Sequence, residues 1–117
     1  MTPDGFRRMA LALPEAMEKS HMGHPDFRVG GRIFATLGHP DEGWGMVKLV
    51  PEQQEALVRA EPAVFSAVKG GWGRHGATSV RLAAARRRTL GPALVLAYRN
   101  VAPRRLAEAL GTGRRES

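Results

Sequence analysis

The sequence predicts an α+β domain, an antiparallel sheet with helices packed on one face. Three observations carry that class. Two strand-like runs meet at Gly30-Gly31, further short β-type runs are bounded by glycine loops, and apolar stripes of helical period open and close the chain. In order the elements read α-βββ-α-ββ-αα, which sets helices against an antiparallel sheet. The 117 residues, 43% hydrophobic and 25% charged, suit one domain with its own core. Residues 1–110 form that domain, and 111–117 read as a disordered C-terminal tail.

Each element has its local reason. Thr2-Pro3-Asp4 starts a helix with a hydroxyl cap, a proline at the first position and an acid in the first turn. Phe6, Met9, Ala10 and Leu13 then share one stripe, and Pro14 stops it. In DFRVGGRIFATL the Gly-Gly pair accepts the positive φ of a two-residue hairpin turn. That register sets Phe27 opposite Phe34 and Val29 opposite Arg32, with Ile33, Ala35 and Leu37 on the other face. GHPDEG is loop, WGMVKLV a third strand, and PEQQEALVRA a second helix. Val64–Val68 and Thr78–Leu82 read as strands joined by the loop KGGWGRHGA. From Thr89, a helical stripe carries Leu90, Leu94, Ala97, Tyr98 and Val101, and Pro103 opens a last helix through Leu110.

Composition removes several chemistries. With no cysteine there is no disulfide framework, thiolate metal site or thiol nucleophile. No apolar run approaches the ~18 residues of a membrane helix. Acids and arginines interrupt the N-terminal stretch, so a cytoplasmic protein is expected. His21 and His24 stand three apart, but in a loop or strand they face opposite ways, and no third ligand is evident. Ser20-His21 and Ser66 with His75 offer no nucleophile elbow or phosphate loop, so no enzyme, metal or cofactor is expected. GWGRHG matches a dinucleotide fingerprint in letters, yet a strand follows it where the fingerprint needs a helix.

Charge points to a partner. The net charge is +7, and it is uneven. Residues 1–58 hold six bases and eight acids, whereas 59–117 hold twelve bases and three acids. Such asymmetry suits a polyanion. Lys69, Arg74 and His75 surround Trp72, the cation-plus-aromatic set of a wing that lies on phosphates or stacks on a base. Trp72 folding back onto the sheet as core is the other reading. Arg86, Arg87 and Arg88 precede the long helix and Arg104 and Arg105 start the last one, against the helix dipole. A bound phosphate would offset that cost. A solvated face is the plainer account.

The segments PDFRVGGRIFATL, MVKLVPEQQEAL, GGWGRHGATSVRL and LAYRNVAPRRLAEAL, in that order, resemble the MmcQ/YjbR family of small bacterial proteins. The resemblance spans about residues 4–110. Arg32 stands where the family's hairpin often carries lysine, and Lys48 takes its usual basic position. The resemblance implies a double-wing α+β fold, similar to frataxin-like and secretion-chaperone-like domains, and a DNA-binding role. The frataxin parallel would add iron on an acidic first helix. Asp4 is the only acid between residues 2 and 13, so that implication fails locally.

The expected function is therefore DNA binding through the phosphate backbone, with little sequence preference. Lys69, Arg74, Arg81, Arg86, Arg87, Arg88, Arg99, Arg104 and Arg105 are the expected contacts, and Trp72 the wedge or stacking residue. A monomer or weak dimer is expected. The alternatives are a protein-interaction or chaperone-like module using an exposed Phe27–Phe34 patch, and a small-ligand or anion binder with a cavity lined by Lys48, Tyr98 and Arg99.

Overall fold

A computed structural model of the chain describes residues 1–39 and 41–116, with the side chains of His21 and residues 111–116 left aside. Helix α1 (Pro3–Leu11) starts at Thr2, whose Oγ1 accepts from the Gly5 N–H at 3.0 Å. Its stripe buries Phe6 and Ala10 completely, with Met9 and Leu13 partly covered. Strand β1 (Met17–His21) pairs antiparallel with β2 (His24–Val29) through a Met22-Gly23 turn, both residues at positive φ. The Gly30-Gly31 turn then leads into β3 (Arg32–Leu37), again with positive φ at both positions, so the expected hairpin forms.

The register of that hairpin differs from simple alternation. Phe27 pairs with Ala35 and Arg28 with Ile33, which leaves Phe34 as an extra residue on β3. A bulge turns two successive side chains to the same side. Phe34, Ala35 and Leu37 are therefore all buried with Phe27 on the helix-covered face, while Ile33 and Thr36 face the other way.

Strand β4 (Trp44–Lys48) follows, then α2 (Pro51–Ala60), β5 (Phe65–Ala67), the one-turn α3 (Gly71–Arg74) and β6 (Ala77–Arg81). A 3-10 turn leads into α4 (Arg87–Val101), and α5 (Arg104–Glu116) closes the chain. Among the described residues the strands form one antiparallel sheet in the order β1-β2-β3-β4-β6-β5. Three boundaries depart from the expected order. β1 is an added edge strand, α3 replaces part of the glycine loop, and α5 has helical backbone beyond Leu110. Ser117, in the expected tail, and Pro40, in the expected loop, lie outside the described residues.

Helix α4 crosses β3 and β4 with the predicted stripe. Leu90, Leu94, Ala97, Tyr98 and Val101 are buried, and Ala93 joins them. The ring of Phe34 meets Tyr98 edge-on at 5.6 Å between centroids. The Tyr98 hydroxyl donates to the Pro14 carbonyl at 2.7 Å, tying α4 to the link between α1 and β1. Burial, with the charge of Glu15 second, raises the Tyr98 pKa from its ordinary value. The helices thus cover one face of the sheet and leave the other open.

Candidate nucleic-acid interface

The open face follows from the pleat of β4. Gly45 and Val47 point into the core, so Trp44, Met46 and Lys48 point out. Cross-strand partners share their side. Thr36 and Ser79 flank Met46, Ala77 sits beside Lys48, and Arg81 beside Trp44. Asp26 and Arg28 of β2 also lie on this side, and there the carboxylate is buried to 1% exposure. Arg28 satisfies it with two hydrogen bonds, Nε at 2.8 Å and Nη2 at 3.1 Å. That bond holds the Arg28 guanidinium above its ordinary pKa. Among the described residues Asp26 is the one buried acid of the face, and it is thereby neutralised.

At the Lys48 end stands α3. Its glycines serve close packing. A Cβ on Gly73 would press into the Val68 carbonyl, with its carbon 2.7 Å away, and Gly73 is buried. Gly76, at φ +111, lies equally close to Leu49 and Val50. Gln54 of α2 locks the turn, its Nε2 donating to the carbonyls of Gly73 at 3.0 Å and Ala77 at 2.9 Å. The letters of a dinucleotide fingerprint here build a tight support.

What that support presents is Trp72. It is 66% exposed, with the Lys48 ammonium 5.6 Å from the ring centroid, a cation–π distance. Trp72 therefore does not fold back into the core. It stands between two grooves. One, of about 560 Å³, is lined by Arg32, Lys48, His75 and Asn100. The other, of about 460 Å³, lies on the open face over Ile33, Thr36 and Met46, with Lys48 and Lys69 beside it. Asn100 fixes the strand end below, donating to the Lys48 carbonyl at 3.0 Å and to Gln53 Oε1 at 2.8 Å.

The expected contacts do not form one cluster. Lys69, Trp72 and Arg74 share the Lys48 end of the sheet. Arg81 lies at the other end of β4, about 13 Å away at the usual strand rise, with its guanidinium carbon 5.8 Å from the Trp44 centroid. Arg86, Arg87 and Arg88, all exposed, start α4 at that same end, where the Leu82 N–H bonds the Gly43 carbonyl. Arg99 is half-buried near the end of α4. Arg104 and Arg105 are taken by acids, Arg104 by Glu108 at 2.9 Å and Arg105 by both oxygens of Glu15 at 3.1 and 3.2 Å. Their place at a helix start is thus balanced within the chain.

Other expectations need correction. Phe27 and Phe34 are fully buried under the helices, so they make no exposed patch. Tyr98 is fully buried too, and of the trio Lys48, Tyr98 and Arg99 the groove is lined by Lys48 alone. His24 meets His39 edge-on at 6.3 Å, whereas the side chain of His21 lies outside the described residues. Trp44 was legible only as a strand residue, whereas Arg32 was legible as the basic position after the hairpin turn of the family that the sequence resembles. The alternation of Trp44, Met46 and Lys48 with Gly45 and Val47 is the signal that places Trp44 on the open face.

The family model YjbR matches residues 11–109. Among solved structures, the chain is similar to the Deinococcus radiodurans protein DR2400, which carries the domain DUF419. Identity is 24%, coverage is 86% of this chain and 78% of that one, and the TM-score is 0.71, a likeness of fold. No curated protein matches.

Proposed function

The chain belongs to the YjbR family, and from that premise we propose that it binds nucleic acid, DNA first, through the phosphate backbone. One observation carries the reading, the segregation of charge. Among the described residues, the ion pairs engage Arg7, Arg28, Arg59, Arg104 and Arg105. Among the same described residues, no carboxylate lies within ion-pair distance of Arg32, Lys48, Lys69, Arg74, Arg81 or Arg86–Arg88. These cations stand at the two ends of the sheet, Lys48, Lys69 and Arg74 at one and Arg81 with Arg86–Arg88 at the other, while Arg32 pairs with the core-facing Val29 on the helix side; each end has a tryptophan under a cation. Arginine and lysine so placed release counterions when they meet phosphates, and such contacts position a strand without reading its sequence. No reaction is part of this reading.

The test removes charge at each end. Arg86→Ala/Arg87→Ala/Arg88→Ala and, separately, Lys48→Ala/Lys69→Ala are compared with the parent by anisotropy of labelled DNA of several sequences. Each lost phosphate contact is expected to weaken binding about fivefold near physiological salt and to flatten the salt slope by about one. The loss is expected to be uniform across sequences. Parent-like affinity and slope in both variants would refute the reading.

A further inference from the structure

Resting on that reading, we infer that the strand held here is single-stranded, with an unpaired base stacked on Trp72 over the open-face groove. A duplex keeps its bases stacked and offers mainly phosphate and groove edges, so an exposed indole gains little from it. An unpaired base presents its π-face to any aromatic platform. Trp72 is such a platform. It is 66% exposed, yet its backbone is pinned by Gln54 and by the packing of Gly73 against Val68, so its position is prepared before binding.

The surroundings suit a base with its phosphate. The groove beside the indole, about 460 Å³, has an apolar floor in Ile33 and Met46, with the hydroxyl of Thr36 between them. Such a volume is within the usual range for small-ligand sites. Lys48 and Lys69 line the same groove, placed for the flanking phosphates. Asp26, the acid that also lines it, already holds Arg28 and adds no net repulsion. Charge and shape together therefore favour an anionic aromatic occupant. Along β4 the Trp44–Arg81 pair repeats the aromatic-cation motif on the same face. Two such stations suit a continuous strand better than one free nucleotide.

The experiment uses the full chain with a labelled 12-nucleotide oligothymidylate, a 12-base-pair duplex and thymidine monophosphate, all at one salt concentration. The oligothymidylate is expected to bind at least tenfold more tightly than the duplex. Trp72→Ala should weaken the single strand roughly 5- to 100-fold and the duplex less than twofold, while Trp72→Phe keeps most of the affinity. In Trp44→Phe, where Trp72 is the sole tryptophan, saturation with the oligonucleotide should quench its emission. Trp72 is exposed, so an unchanged thermal melt of Trp72→Ala confirms an intact fold. Equal binding of single strand and duplex, or an unaffected Trp72→Ala, would overturn the inference and leave the backbone reading standing. Monophosphate binding as tight as the oligonucleotide would overturn it in favour of a free nucleotide. Failure of every nucleic acid to bind would overturn both.

Discussion

Gly76→Ala is expected to lower stability by at least about 3 kcal/mol. Gly76 sits at φ +111, and a Cβ there would lie 2.7 Å from the Leu49 carbonyl carbon and 2.9 Å from the Val50 Cα. Both are backbone atoms, so no side chain can swing aside. The Gly76 carbonyl also accepts from the Leu49 N–H at 3.3 Å and from the Thr78 hydroxyl at 2.8 Å. Moving it therefore disturbs two bonds at the junction of β4, α2 and β6. Gly70→Ala makes the control, since Gly70 has φ +84 but nothing within 4 Å of its would-be Cβ. That substitution meets no clash, and at φ +84, ψ −158 it costs backbone strain alone, about 1–3 kcal/mol. Urea unfolding followed by circular dichroism compares the two, and a midpoint for Gly76→Ala no lower than that of Gly70→Ala would contradict the packing described for α3.

Phe34→Ala is expected to cost about 3–5 kcal/mol, the range for removing a fully buried phenylalanine. Its ring is at 0% exposure and meets Tyr98 edge-on, interplanar angle 83°. The neighbouring Ile33→Ala, on the half-exposed open face, should cost well under half of that. The order matters because it tests the bulge. In an unbroken alternation Ile33 would share a face with Ala35 and Leu37, and Phe34 would lie opposite them. Equal or greater loss in Ile33→Ala, measured by the same unfolding titration, would contradict the register.

These two positions show where sequence reasoning reaches and where it stops. The hairpin at Gly30-Gly31 was legible because two glycines answer one local demand of the turn. The α4 stripe was legible because burial of Leu90, Leu94, Ala97, Tyr98 and Val101 follows helical period. β1 was missed because an edge strand such as MEKSH, exposed at Met17 through Ser20, need not alternate. The bulge at Phe34 leaves no local mark. The helical turn at GWGR runs against glycine's propensity and is imposed by Val68 and Gln54 from outside it.

The candidate site divides in the same way. Lys69, Trp72 and Arg74 are close in sequence and stay close in space, so their grouping could be read directly. Lys48 and Arg32 reach Trp72 only through strand pairing. The Arg104–Glu108 pair is one helical turn long, whereas Arg105 meets Glu15 across nearly the whole chain. That long-range pair is invisible to composition, and it sets an acid of the N-terminal half beside one of the arginines that make the charge imbalance.

The central claim is that the cations left without acids at the two ends of the sheet meet phosphates. Its most direct test is the affinity of the unaltered protein for labelled single-stranded and duplex DNA, measured by anisotropy at several salt concentrations. The account predicts binding that is micromolar or tighter near physiological salt. It also predicts that log affinity falls with log salt at a slope of about −3 or steeper, the signature of four or more phosphate contacts. A slope near zero, or no binding at low salt, would contradict it.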